Sequence, residues 1–503
     1  MQAVNIIPMF VIVPLAGAFL NSLVEKKAKW VPDAIGNLSA FILFFFSVLA
    51  VQVVRTHGTL VYSVGAWKLP LGIAMVLDGL TAFMLVTVNF IAFMIALYSI
   101  NYMERFTAKG KFYTLFLLML TGMNGVIVTG DIFNLFVFLE IASVASYALV
   151  AFGTEKHELE AAFKYAVMST VGSMFVLLGI VLLYGLTSTL NMADMANMLA
   201  QKGAANLVLM VSVLFIMGLG LKAALVPFHA WLPDAHPSAP APISAMLSGI
   251  LIKSLGVYAM VRIFYNVIGM TAELSSIIMF LGTLSMVVGV FLAIGQWDLK
   301  RLLAYHSISQ IGYVFLGIGL GTPLGILGGI FHLFNHSVFK SLLFLNSGAI
   351  EYSAGTRDLQ KMGGLMSKMP VTGSTNLIAS MSIAGIPPFN GFWSKLIIII
   401  AAVQAQRFGY AFWAVVASVL TLASFMKVMK YAYFGRLKEG LMSIKEVPFF
   451  MKLSMVVLSV VCLIGGMLLI PSLRDIFLNR ASDVIALGVN YAAIVLKEVS
   501  LSW

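Results

Sequence analysis

The chain has 503 residues, of which 61% are hydrophobic and only 10% charged, with a mean hydropathy of +1.00. Soluble domains carry about a quarter charged residues, so this composition excludes a water-soluble protein and marks a polytopic membrane protein. The net charge of +11 is spread over short loops and is no nucleic-acid footprint; the single Cys462, inside an apolar stretch, excludes a disulfide framework, an iron-sulfur site or a Cys-rich zinc site built by this chain alone.

In chain order, apolar runs of the length needed to cross roughly 30 Å of hydrocarbon predict an all-α fold. About fourteen transmembrane helices are expected, near 4–24, 33–54, 73–100, 112–129, 131–152, 161–187, 205–226, 241–264, 275–295, 300–320, 325–349, 372–404, 409–432 and 449–470. The first run has no basic residues before it and reads as a retained span, not a cleaved signal. If the N-terminus lies outside, most Lys and Arg fall in inside loops, including Lys26, Lys27 and Lys29, and fewer fall outside, including Lys68, Arg262 and Arg407. The positive-inside rule therefore puts both termini on the extracytoplasmic face of the cytoplasmic membrane. Residues 481–499 carry Asp483, Asn490 and Lys497 every seven positions, the pattern of a helix lying at the outer interface, with a fifteenth span as the alternative.

Four lysines, Lys222, Lys253, Lys340 and Lys395, fall inside predicted spans. A charge there costs roughly 2.5 to 3.5 kcal/mol, so it persists when it is paired, hydrated or used. Lys222 precedes Pro227, which has no N–H to offer Ala223 and so frees a carbonyl beside the lysine for water or an ion. Glu140, in the middle of the fifth span, is the partner expected for Lys222; the structural alternative is a neutral carboxyl bonded to Ser143. Lys253 lies among Ser248, Gly249 and Ser254, too far from either end of its span to snorkel. His332, His336 and Lys340 recur at i, i+4 on one helix face, about 6 Å apart, a spacing that water could bridge into a proton relay. The alternatives there are helix–helix hydrogen bonding or a zinc pair, and a neighbouring lysine would repel the metal. In the twelfth span Pro387 and Pro388 deprive Ile383 and Ala384 of donors, and Lys395 follows on the resumed helix. Asp78, Asp131, Asp234, His229, His236 and His306, near predicted span ends, either gate ion access or cap helices.

Two broken, lysine-bearing spans are the pattern of a transporter built from inverted repeats. Counting gives helices 1–3 over residues 1–111, a first five-helix repeat over 112–264, a second inverted repeat over 265–435, and helix 14 with the C-terminal helix over 436–503. Helices 7 and 12 are then equivalent and oppositely directed.

The stretches FNLFVFLEIAS, GLKAALVPFHAWLPDAHPSAPAPISA, KRLLAYHSISQIGY, HLFNHSVFKSLLFLNSG, GTRDL and AGIPPFNGFWSK resemble the antiporter-like subunits of respiratory complex I, membrane-bound hydrogenases and Mrp-type multisubunit cation/proton antiporters. Within that family the chain is most similar to the D-type component of Mrp antiporters and its membrane-bound hydrogenase counterpart. A lysine at 395 argues against the complex I component that has glutamate there. The resemblance implies an ion pair between Glu140 and Lys222, proton transfer through Lys253, a relay along His332, His336 and Lys340, and an end point at Lys395. With one cysteine, and a lysine beside the two histidines, no cofactor or metal is expected in this chain. The resemblance implies as partners H+, with Na+ exchange left open, lipid, and other hydrophobic membrane subunits of an antiporter or an oxidoreductase complex. The competing readings are a non-transporting scaffold subunit and a stand-alone carrier.

Overall fold

Segments this apolar have to satisfy their backbone groups internally, and the computed structural model does so almost entirely with α-helix. It describes residues 3–25, 28–67, 72–203 and 205–501, the side chains of 499–501 excepted. Lys26, Lys27 and Lys68 of the charge bias lie outside the described residues. The helices are α1 (Met9–Val24), α2 (Val31–His57), α3 (Gly79–Tyr102), α4 (Lys109–Val128), α5 (Ile132–Val150), α6 (Lys156–Thr187), α7 (Met192–Lys202), α8 (Ala205–Lys222) and α9 (Leu232–Ser238). They continue as α10 (Ala241–Val267), α11 (Ala272–Ile294), α12 (Leu299–Gly319), α13 (Pro323–Ala354), α14 (Pro370–Ala384), α15 (Asn390–Gln404), α16 (Phe408–Tyr433), α17 (Phe449–Leu469), α18 (Arg480–Ala486) and α19 (Tyr491–Leu501). Among the described residues, 12 helices are long and apolar enough to cross a membrane. The two remaining predicted spans are α13, 32 residues long and rich in polar groups, and the pair α14–α15, interrupted around Pro387 and Pro388.

The structure departs from the sequence reading in four places. Residues 74–77 are not the start of a helix. They form β2 (Ala74–Leu77), which pairs antiparallel with β1 (Leu60–Ser63), and α3 starts at Gly79 because the Asp78 carboxylate accepts the Thr81 N–H at 2.8 Å. The amphipathic α7 lies between spans, capped by Asn191. The seventh span ends at Lys222, five residues before Pro227. The C-terminal stretch bends at Gly488 (φ +56°), so Asp483, Asn490 and Lys497 are all exposed but do not share one continuous helix.

The centre of the molecule is α10, whose residues 241–267 are all buried, enclosed with α12 and α13 by the other spans. Small residues permit this closeness: a Cβ on Gly312 would fall 2.4 Å from the Gly282 carbonyl oxygen, which holds α11 and α12 backbone to backbone. Apolar side chains on α1, α2, α6 and α16 face outward, among them Leu23, Phe41, Phe163 and Val419. At one end the C-terminal segment is clamped to this core. Arg262 of α10 pairs with Asp78 at 2.9 Å, the Tyr491 hydroxyl donates to the same carboxylate, and Asn266 donates to the carbonyls of Val484 and Gly488. Arg262 is thus a buried structural cation and not a loop charge.

Candidate functional site

Both broken spans end their first half in the same way. At the end of α8 the Leu225 N–H donates to the Gly220 carbonyl and the Ala224 N–H to that of Leu221, closing the helix with Ala224 in the left-handed region (φ +57°). At the end of α14 the Ile386 and Gly385 N–H groups bond Met381 and Ser382 in the same pattern, with Gly385 left-handed (φ +81°). In each break an X–Pro bond three residues further on is cis, at Pro227 and at Pro388. At the left-handed position the two breaks differ: alanine occupies at 224 the conformation that glycine occupies at 385. A left-handed alanine costs roughly 1 kcal/mol relative to glycine. Ala224→Gly is therefore expected to raise the unfolding temperature of the purified protein slightly, and a fall would show that Ala224 carries no strain.

The carbonyls freed at the second break are occupied. That of Ile383 accepts from Lys395 Nζ at 2.7 Å and that of Ala384 from the Ser418 hydroxyl at 2.8 Å. At the first break the carbonyl beside Lys222 that finds a side-chain donor is that of Leu221, which accepts from the Trp231 indole at 3.0 Å. The Val226 N–H donates to Ser285 of α11 at 2.9 Å.

Lys222 is buried, and its ammonium lies 3.5 Å from Glu140, 2.9 Å from the Ser143 hydroxyl and 2.5 Å from that of Ser169. Ser173 in turn donates to Glu140. Ser143 serves the lysine and not the glutamate, and the two serines of α6 complete a cradle that the hydropathy pattern gives no reason to single out. Glu140 itself is 30% exposed, on the outward face of α5 that also shows Phe133, Val137 and Val144.

From Lys222 the row passes inward. α8 and α10 touch where a Cβ on Gly256 would meet Ala223 at 2.5 Å, and Lys253 sits one turn before Gly256 on the same helix. Lys253 is fully buried and donates to the Ser248 carbonyl of its own helix, which here widens to π-helical spacing. Ser248 bonds Ser307 of α12 at 2.7 Å, and Gly249 admits Ser341 of α13. On α13 the rings of His332 and His336 stack 6.3 Å apart, and Lys340 follows. His332 Nδ1 lies 2.9 Å from the Ser394 hydroxyl of α15, and Tyr313 of α12 touches both His332 (5.4 Å) and the Lys395 ammonium (4.7 Å). Tyr313 and Ser394 therefore connect α13 to Lys395. All seven of these ionisable residues except Glu140 are almost wholly buried. His332 Nε2, both nitrogens of His336 and the Lys340 ammonium have no hydrogen-bond partner among the described residues, an arrangement that buried groups tolerate when they exchange protons or bind water. No group of three or more His, Cys, Asp or Glu with metal-binding geometry occurs among the described residues.

Of the span-end residues, Asp78 and Asp131 cap α3 and α5. His306 lies well inside α12, bonded to Ser424 at 2.9 Å. His236, buried in α9, packs 4.8 Å from the Phe344 ring, and the Lys340 ammonium lies 5.5 Å from the same ring. Two residues before it, Asp234 faces a cavity of about 270 Å3 lined also by His157, Glu160, Lys164, Asp298 and Arg301. Lys300, a loop charge by its place in the sequence, is buried and pairs with Glu351 at 2.9 Å.

Residues 129–421, which contain all seven ionisable positions, match the family described as NADH:quinone oxidoreductase/Mrp antiporter, TM, and residues 62–113 match the N-terminal family of complex I chain 5. The chain belongs to the NADH:quinone oxidoreductase/Mrp antiporter family. It is thereby an antiporter-like, multi-pass membrane protein. It is 33% identical to the D component of the Na+/H+ antiporter of Alkalihalophilus pseudofirmus over 86% of this chain and 88% of that one. It is 36% identical to the N component of the NADH-quinone oxidoreductase of Desulforudis audaxviator over 88% and 89%. In structure it superposes on a chain of the Mrp complex from a Dietzia species with a TM-score of 0.90 at 28% identity, covering 99% of this chain and 100% of that one. A chain of the membrane-bound sulfane sulfur reductase, an archaeal respiratory membrane complex, gives 0.89 at 31% identity, covering 98% and 99%. Both antiporter and oxidoreductase assemblies thus contain chains of this antiporter-family fold.

Proposed function

We propose that this chain is the ion-translocating subunit of a multisubunit membrane complex and passes protons along Glu140, Lys222, Lys253, His332, His336, Lys340 and Lys395, with sodium exchange in the assembly as the coupled process. The observation that carries this reading is the Glu140–Lys222 pair: a buried ammonium held by a carboxylate that is itself open on the flank of the molecule. A carboxylate facing lipid at membrane depth is unfavourable, so a neighbouring subunit covers that face of α5. When Glu140 turns toward that neighbour, Lys222 is left as an unpaired ammonium in a low dielectric and gives up its proton to the row. Return of Glu140 restores the charged lysine. The cavity beside Asp234, with His236 behind it, supplies protons from one face to Lys340. The chain itself uses no cofactor; where the partner is a redox module, electron transfer happens there and this subunit is its pump.

The matched closures at Ala224 and Gly385 support two inverted repeats, over 112–264 and 265–435, preceded by residues 1–111 and followed by 436–503. The charge bias supports extracytoplasmic termini. The scaffold reading gains no support from four lysines held in buried polar contacts or beside buried histidines.

The test is reconstitution of the complex, purified with its partners, into liposomes with an internal pH dye. Lys395→Ala should lower proton flux by about a hundredfold or more, the usual loss on removing a proton-transfer group, with the composition of the complex unchanged. A scaffold would tolerate replacement of all four lysines at full flux. Mass spectrometry of the same preparation separates the assemblies: hydrophobic subunits alone indicate an Mrp-type antiporter, and an iron-sulfur or hydrogenase module indicates a redox pump.

A further inference from the structure

Away from the buried row, the turn between α15 and α16 and the outward face of α11 enclose a groove of about 660 Å3. Its walls are apolar and aromatic, with Phe280 and Val287 on α11 and Tyr410 and Trp413 on α16, and no carboxylate lines it. Gln406, Arg407 and Thr283 bring polar groups to this surface, and Arg407 is its one charged side chain. Arg407 stands exposed at the rim, and its guanidinium meets no acceptor among the described residues. Thr283, only 8% exposed, lines the groove, and its hydroxyl has no partner among the described residues. The serines of this helix all find acceptors, Ser276 and Ser285 the carbonyl four residues back at 2.9 and 2.7 Å and Ser275 that of Gly319 at 2.6 Å. A buried hydroxyl without an acceptor is available to a ligand, and a guanidinium on the same groove selects an anion.

We infer that this groove is a specific site for one anionic glycerophospholipid, its phosphodiester on Arg407, an ester carbonyl accepting from Thr283, and an acyl chain along Phe280, Val287 and Trp413. The three features of the groove, a lone cation at the rim, a hydroxyl donor deeper in and a long apolar wall, are matched in order by headgroup, ester and tail. One lipid molecule supplies an anion for the rim, an ester acceptor below it and a long apolar tail, which is why lipid is the occupant. α11 also presents Ser285 to the Val226 N–H at the first break, so the lipid braces the helix that supports the break near Lys222.

The experiment places the purified complex in nanodiscs containing phosphatidylglycerol with a photoactivatable diazirine in its acyl chain and maps the labelled peptides. Labelling should concentrate on residues 280–287 and 406–413 and fall about tenfold in Arg407→Gln and in Thr283→Val, the loss expected on removing a charge-assisted or buried hydrogen bond. Labelling of the outward face of α1, around Phe19 and Leu23, should not change. Uniform labelling of all outward faces in the wild type overturns the site without recourse to any variant. So does equal labelling by a phosphatidylcholine probe, or a crosslink from position 413 to a neighbouring protein subunit.

Discussion

Lys222→Ala is expected to reduce proton translocation by the reconstituted complex to the level of liposomes without protein, while the complex assembles with all its components. The expectation rests on the arrangement around the ammonium, which is buried and whose hydrogen-bond acceptors are the Ser143 and Ser169 hydroxyls and Glu140. Among the described residues no other cation stands within that cradle to replace it, so alanine removes the site at which Glu140 can hold or release a proton. The two serines are neutral and can rebond, and Glu140, partly exposed, can be neutralised; both limit the structural damage. Lys222→Arg separates the electrostatic role from the proton-carrying one. Arginine keeps the charge pair but does not deprotonate in proteins, so flux should be lost there as well. Substantial flux in Lys222→Arg would mean that the pair is structural and that the proton takes another route.

Arg262→Met is expected to be among the most destabilising single changes in the chain. It leaves Asp78, fully buried, without its cation, and removing one partner of a buried pair costs about 3–5 kcal/mol. Asp78 also caps α3 and accepts from Tyr491, so the damage reaches both the start of a central span and the C-terminal segment. The unfolding temperature of the purified protein should fall sharply in Arg262→Met. It should recover in large part in the double variant with Asp78→Asn, which keeps the cap and removes the unpaired charge. A double variant no better than the single one would show that Arg262 acts through packing against Tyr258 and Tyr491, not through charge.

How much of the site is legible in the sequence differs residue by residue. Lys222, Lys253, Lys340, Lys395 and Glu140 stand out because an ionisable group in an apolar run of about twenty residues contradicts its surroundings. His332, His336 and Lys340 share a face by helical spacing alone. Ser169, Ser173, Tyr313 and Ser394 carry no such signal: serine and tyrosine are ordinary in membrane helices, and these four matter only because α6, α12 and α15 bring them to the lysines and to His332. Lys300 and Arg262 look like loop charges because each lies near a span end, where hydropathy places a water boundary. In the structure their partners, Glu351 and Asp78, come from helix ends distant in sequence and keep them inside. The hairpin of β1 and β2 is hidden for a similar reason, since residues 74–77 are as apolar as the helix they precede, and the ladder to Leu60–Ser63 decides their conformation.

The sequence by itself determined that the chain crosses a membrane many times as helix, that two of its spans are interrupted close to prolines, and that charges lie buried within it. These follow from local physics: the cost of unpaired backbone in hydrocarbon, the missing proline N–H, and the cost of a bare ammonium. The pairing of Glu140 with Lys222 is expected from the span charges, and tertiary structure decided how it and the other buried charges are held. The 3.5 Å between Glu140 and Lys222, the bond from Lys395 to the Ile383 carbonyl and the Tyr313 contact between His332 and Lys395 all depend on how separate helices pack. Packing is set by small residues such as Gly249, Gly256 and Gly312, whose missing side chains let backbones approach and which look alike in sequence wherever they occur.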